Sequence, residues 1–359
     1  MKRLTYRARL RSRRLTKIRT WEHRKRAFFR SERVRLRLAP ELAAPSTKLT
    51  RITLVAPRRL SLFQVRARRR LLAFLVRLRH YAANGIRVRI NLQEVQTLEP
   101  CGTLLFAAEI SRLMEAPHLR ARITASYPRN HIVEQLLQHI GLLQRLGCTP
   151  RTVVSHHTVK HWTYHNGTVV DMSGMQALKA RLEHELGENL AFDLCSGIQE
   201  AVTNAVHHAY IEPRGDGLAL EDVGWWLFAQ HKQGEVHISI CDVGVGIQRS
   251  LPRSGVWPMQ VIEAMLRRIG ASTDSDAKYI KAALELGETR TGEGNRGKGL
   301  PEMLQLVKNA GYGSLRIHSA KGMYSYNGRK DIETILDYQD SMMGTLIQWT
   351  FEAKTLTSK

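Results

Sequence analysis

The sequence predicts a mixed α/β (α+β) protein: two α/β units behind a basic arm. Three observations predict it. The chain has 359 residues, 43% of them hydrophobic, enough to fill the cores of about two domains. Segments of period-two hydrophobicity alternate with segments of helical spacing. Composition also breaks after residue 48, where a charge-rich stretch gives way to patterned sequence.

The arm comes first, over residues 1–48. Its first 40 residues hold 16 Lys or Arg against Glu22 and Glu32, so +14 of the net +23 sits there. Such a segment attracts nucleic-acid phosphates, an anionic surface or an acidic protein face. A solvated arm with no partner has the same composition. Ala43-Ala44-Pro45-Ser46-Thr47 closes the segment.

The first unit spans 49–148. Ile86 to Leu92 alternates as a strand, Thr103 to Met114 is helical and Ala121 to Ala125 is a short strand. From Asn130 to Leu146, Ile132, Leu136, Ile140 and Leu143 keep helical spacing, and Gly147 is a natural stop. A linking stretch follows over 149–169. Val153-Val154 and Trp162-Thr163-Tyr164 read as strands, and Asn166-Gly167 as a hairpin turn before Thr168-Val169-Val170.

The second unit spans 170–359. Helices are expected over 173–187 and 190–210, strands over 223–231 and 234–241, helices over 257–269 and 275–286 and from Leu300, and strands over 314–319 and 344–351. No apolar run approaches the roughly 20 residues of a membrane-spanning helix, and the charged N-terminus is unlike a secretory signal. A cytoplasmic location is expected. Cys101, Cys148, Cys195 and Cys241 stand 46 or 47 residues apart with no CxxC pair, so they are read as reduced thiols rather than zinc ligands.

Three stretches carry chemistry. On the 190–210 helix, Glu200, Asn204 and His208 recur every fourth residue, so they share one stripe while Leu194, Ile198, Ala201, Val202 and Ala205 face elsewhere. A carboxylate and an amide oxygen on one face suit a magnesium-nucleotide site, one group handling a proton and the other a metal. A merely solvated face gives the same pattern. Next, a strand runs into Asp242-Val243-Gly244-Val245-Gly246. An Asp there can accept an exocyclic amine, and the glycines let backbone approach a base closely. Last comes Gly292-Glu293-Gly294-Asn295-Arg296-Gly297-Lys298-Gly299-Leu300-Pro301. Its amides can point at phosphates, Arg296 and Lys298 add charge, and Pro301 suits the first turn of the next helix.

In this order, with Met343-Gly344-Thr345 entering the last strand, the motifs resemble the N box and the three glycine boxes of the GHKL (Bergerat-fold) ATPase superfamily over about 170–352. The run Glu200-Ala201-Val202-Thr203-Asn204-Ala205 is most similar to the anti-sigma factor serine kinases of that group. The resemblance implies a Bergerat α/β sandwich with ATP and Mg²⁺ as cofactors. It makes Glu200 the general base, Asn204 the Mg²⁺ ligand and Asp242 the adenine reader, flanked by Gly244 and Gly246. Gly297 and Gly299 would lie against the phosphates, beside the charge of Arg296 and Lys298, Thr345 would support the adenine end, and His208 would help position the N box or simply pack. The segment between Ile247 and Gly294 would be the nucleotide lid.

Arg89 to Leu113, centred on Thr97-Leu98-Glu99-Pro100-Cys101-Gly102, together with Asn130 to Gly147, resembles the STAS domain of anti-sigma factor antagonists. Where phosphorylatable members have Asp-Ser-Ser-Gly, this chain has Glu99-Pro100-Cys101-Gly102 and no serine hydroxyl. The resemblance therefore implies a STAS-like domain that binds, or docks on its own ATPase unit, rather than one that accepts phosphate.

Together these readings describe a cytoplasmic bacterial regulator that binds, and by expectation hydrolyses, Mg-ATP to switch contacts with a regulatory protein partner. Two alternatives stand beside it. One is a serine/threonine protein kinase of the anti-sigma factor type. The other is a nucleic-acid-associated protein acting through residues 1–40. A homodimer is compatible with all three.

Overall fold

Period-two alternation at Arg87-Val88-Arg89-Ile90-Asn91 buries Val88 and Ile90 and exposes both arginines, which makes this strand the centre of a small parallel sheet. The computed structural model describes residues 51–354 except 121, 157–158, 160–161, 219–223, 271–274 and 289–298. The basic arm and Arg296, Gly297 and Lys298 lie outside the described residues, all of which belong to one compact unit.

The N-terminal part comprises β1 (Arg51–Val55), β2 (Arg59–Leu60), α1 (Val65–Ala83), β3 (Arg87–Asn91), β4 (Thr97–Leu98), α2 (Pro100–Glu115), β5 (Ile123–Ala125) and α3 (His131–His139). Strands β1, β3 and β5 form the parallel sheet, with Ile52 opposite Val88 and Val88 opposite Ile123. Asn130 caps α3 by accepting from the Ile132 and Val133 amides at 3.0 and 3.2 Å. The single helix expected over Asn130–Leu146 breaks at Gly141, whose φ of +73° starts a separate turn at Leu142–Arg145.

The C-terminal part comprises β6 (Trp162–Gly167), α4 (Gln176–Leu186), α5 (Glu188–His208), β7 (Trp225–Lys232), β8 (Glu235–Asp242), α6 (Met259–Arg268), α7 (Asp276–Glu288), α8 (Gly299–Ala310), β9 (Ser314–Ser319), β10 (Gly322–Asn327), β11 (Ile332–Asp337) and β12 (Thr345–Glu352). These strands make a seven-stranded, wholly antiparallel sheet in the order β11-β10-β9-β12-β8-β7-β6.

The sheet is covered on both faces. Helices α4, α5, α7 and α8 bury one face through Leu182, Leu194, Ile198, Val202, Ile280 and Leu304, packed around Trp349 of β12. The other face carries Trp226, Phe228, Cys241 and Leu346 into the same core as Leu104, Leu105 and Phe106 of α2. Fourteen of the residues of α2, from Cys101 to Met114, are buried because the helix packs on β7, β8 and β12 on one side and against α1 and the Leu142–Arg145 turn elsewhere.

Two expected features differ. Val153-Val154 form no strand, and Asn166-Gly167 make no turn: they end β6, opposite Trp226 and Trp225 of β7. Gly167 serves close approach, since a Cβ there would lie 2.9 Å from the Trp225 ring. Among the described residues no helix is long and apolar enough to cross a membrane.

Candidate functional site

The apolar stripe of α5 fixes the position of its polar row. Ala191, Leu194, Ile198, Ala201, Val202 and Ala205 are buried against the sheet, so Glu200, Asn204 and His208 emerge along the flank of the helix, each partly exposed.

Helix α8 closes on that flank. A Cβ built on its first residue, Gly299, would stand 2.7 Å from Glu200 Oε2, 3.3 Å from Glu200 Cβ and 3.4 Å from Asn204 Nδ2. A side chain at 299 would have to push the Glu200 carboxylate from where it lies. Burial, and then the charge of Glu302 in the first turn of α8, raise the Glu200 carboxyl above the ordinary carboxylate range. Glu302 is a neighbour that spacing alone did not bring to this site.

The Asp-x-Gly-x-Gly turn rests on the other end of α5. Val245 N donates to Ala209 O at 2.8 Å, and a Cβ on Gly244 would fall 2.1 Å from the same oxygen. Gly246 has a φ of +81°, so its backbone also favours glycine. Ala209 is five positions after Asn204, about 7.5 Å along the helix axis. One helix thus spaces the two halves of the site.

Asp242, the last residue of β8, is only 8% exposed. Its Oδ1 accepts from Gly244 N at 2.9 Å and from Thr345 N at 3.1 Å. Burial pushes the carboxyl up to about 6 against the opposing pull of these amides and of Arg214. Two further residues lock the turn. Tyr210 donates its hydroxyl to Gly224 O at 2.5 Å and accepts from Val243 N at 3.1 Å. Ser319 Oγ accepts from Ile247 N at 2.8 Å and lies 3.2 Å from Thr345 Oγ1. Neither partnership has a sequence signal, because Ser319 acts across 72 residues and Tyr210 across 33.

His208 sits one turn beyond Asn204. Burial, then neighbouring His207, lowers its pKa, which favours the neutral ring. The expected lid segment is partly anchored: α7 buries Ile280, Ala283 and Leu284 in the sheet's core, and its start lies on Gly322, where a Cβ would meet Ala277 N at 2.4 Å. Hollows of about 590 and 500 Å³ open elsewhere, beside β6 and beside α1, and neither borders Glu200, Asn204 or Asp242.

The Glu99-Pro100-Cys101-Gly102 turn is shut inside the protein. Cys101 is fully buried, with its thiol bonded to Gln348 Oε1 and 4.0 Å from Ser239 Oγ; burial pushes it up to about 12. Gly102 backs onto Leu60 and Ser61 with no room for a Cβ. A side chain so enclosed has no approach for a phosphoryl donor. No protein-family model matches the chain, and no curated protein matches it.

Proposed function

We propose that the chain is a GHKL-type regulator that binds Mg-ATP and uses binding or hydrolysis to switch contacts with a protein partner in the cytoplasm. On this reading residues 170–352 are a Bergerat-type nucleotide unit and the N-terminal part is a STAS-like docking module. One observation carries the reading most: Gly299, the last glycine of the glycine-rich stretch, meets Glu200 and Asn204, so two motifs almost a hundred residues apart share one place.

The residues present suit the cofactor. Asp242 is a buried acceptor held by two backbone amides, as recognition of an exocyclic amine requires. Among the described residues no group of three or more His, Cys, Asp or Glu could hold a metal ion. A magnesium ion held by Asn204 would therefore draw its remaining ligands from phosphate and water, and would supply charge neutralisation at the phosphates. Glu200 would orient water and take its proton, and a carboxyl of raised pKa is the better base for that step.

Calorimetry of the full chain with ATP and Mg²⁺, followed by phosphate release on the same sample, tests this. Glu200→Ala should end phosphate release and leave ATP affinity nearly unchanged. Asn204→Ala should remove the magnesium dependence of binding. A bound nucleotide at 100 times its Kd should stabilise the fold by about 2.7 kcal/mol. Absence of both heat and thermal shift would overturn the reading. Nucleic-acid binding that survives Asn204→Ala and vanishes on deleting residues 1–40 would assign the activity to the arm instead.

A further inference from the structure

The seven-stranded sheet ends on β11, whose outer edge pairs with no strand among the described residues. All six residues of β11 are exposed. Its acidic side chains are nonetheless engaged on the inner face. Glu333 binds Lys281 of α7 at 2.5 Å and accepts from the Tyr324 hydroxyl at 2.8 Å, while Asp337 accepts from Ala277 N at 2.9 Å. By strand alternation, Ile332, Thr334 and Leu336 line the opposite face, with Ile332 54% and Leu336 42% exposed. Exposed edges are ordinarily blunted by proline, lysine or a bulge. Within Ile332–Asp337 there is neither proline nor lysine.

We propose that β11 is a self-association edge, pairing antiparallel with β11 of a second copy about a two-fold axis at Thr334. Symmetry selects this register. A two-fold axis normal to the sheet keeps each side chain on its own face, so the axis must pass through a residue. Centred on Glu333, it would set that carboxylate against its own copy. Centred on Ile335, it would oppose Glu333 to Asp337. Centred on Thr334, it places Ile332 against Leu336 twice and Glu333 against Ile335. The remaining like pair, Asp331 with Asp337, lies at the strand ends, where Tyr326 already donates to Asp331 at 2.8 Å.

Charge complementarity favours the same occupant. The strand is preceded by Lys330, next to Arg329, which Glu352 already binds at 2.7 Å, and is followed through Asp337 to Asp340. Antiparallel pairing therefore lays the basic end of one copy along the acidic end of the other. A six-residue edge is small beside a standard interface, so the dimer should depend on concentration. It requires no nucleotide.

Two experiments on the full chain test it. Directly opposed Cα atoms in an antiparallel pair stand about 4.5–5.5 Å apart, within disulfide reach. Under mild oxidation Thr334→Cys should form a covalent dimer at least about tenfold faster than Ile332→Cys, whose cross-strand neighbour is Leu336. Light scattering should give twice the single-chain mass at high concentration, and the single mass for Ile332→Lys/Leu336→Lys with an unchanged melting midpoint. A single-chain mass at the highest soluble concentration, a dimer that survives the double substitution, or equal cross-linking of the two cysteines would overturn the proposal.

Discussion

Arg112 Nη1 and Asp216 Oδ2 stand 2.6 Å apart with side chains 4% and 3% exposed, although 104 residues separate them in sequence. They belong to a larger buried cluster. Glu109 accepts from Arg79 at 2.8 Å and from Arg214, so three guanidinium groups surround two carboxylates. Helices α1 and α2 supply Arg79, Glu109 and Arg112; the loop after α5 supplies Arg214 and Asp216. Arg249, just past Gly246, binds the same loop through Glu212, at 2.7 Å, and the Pro213 and Arg214 carbonyls. The N-terminal part therefore reaches, through ion pairs, the segment joining α5 to the Asp-x-Gly-x-Gly turn.

Removing one carboxylate from this cluster should be severe. Glu109→Gln leaves the three guanidinium groups facing Asp216 alone, and breaking a buried pair in this way costs about 3–5 kcal/mol. The effect is also readable in acid. Burial raises the Glu109 carboxyl, but Arg214, Arg79 and Arg112 together outweigh it and hold it at about 2. A depressed folded value means that this stability is present above the ordinary 4.5 and is lost as pH falls toward 2. Urea melts across that window should show a steep acid limb in the wild type and a flatter one in Glu109→Gln.

Asp242 has the opposite sign. Its folded value of about 6 lies above the ordinary 3.8, so the fold favours the protonated form. Ionisation costs stability in full above pH 6 and nothing below 3.8. Asp242→Asn keeps an oxygen for the Gly244 and Thr345 amides and removes the charge. Its stability should rise at pH 8, by up to about 3 kcal/mol and with a higher melting midpoint, with no gain at pH 4. On the nucleotide reading, the same variant should bind ATP more weakly, trading function for stability. Parallel thermal melts and calorimetry check both halves, and a lowered midpoint at pH 8 would contradict the first.

The four thiols offer an inexpensive check on packing. Cys101, Cys148 and Cys241 are buried and Cys195 is partly exposed. Burial raises all four above the ordinary thiol value, which slows reaction through the thiolate. A thiol reagent added to the native chain should modify Cys195 first, with the other three reacting only on unfolding. Fast native labelling of Cys101 or Cys241 in Cys195→Ser, located by peptide mapping, would show that α2 does not lie on the sheet as described.

What was legible in the sequence was local. The α5 row, the Asp-x-Gly-x-Gly turn and most C-terminal elements follow from spacing within about twenty residues. Helix α1 was not legible because Arg68 and Arg79 occupy its buried face, at 1% and 3% exposure, and interrupt the apolar pattern. The β10–β11 hairpin has no sequence signal because β11 buries neither face, so its sequence need not alternate. Asn166-Gly167 resembles a turn because glycine beside a bulky cross-strand tryptophan has the same local signature as glycine in a turn. Tyr210, Ser319 and Glu302 act through neighbours that only the folded chain supplies.

Gly299 gives the sharpest test of whether the two halves of the site work together. A methyl group there must displace the Glu200 carboxylate, because its Cβ would stand 2.7 Å from Oε2 and 3.3 Å from the Glu200 Cβ. The nearest atom is the end of a flexible side chain, so the fold can yield at a cost of about 1 kcal/mol or less. A base moved by an ångström loses much more, since misplacement of that size costs up to about 100-fold in rate. On the nucleotide reading, Gly299→Ala should keep ATP affinity within a few-fold and lower turnover by at least about tenfold. Steady-state phosphate release beside calorimetry separates the two quantities. Equal turnover in the variant would mean that Glu200 does not act from the position it holds against α8.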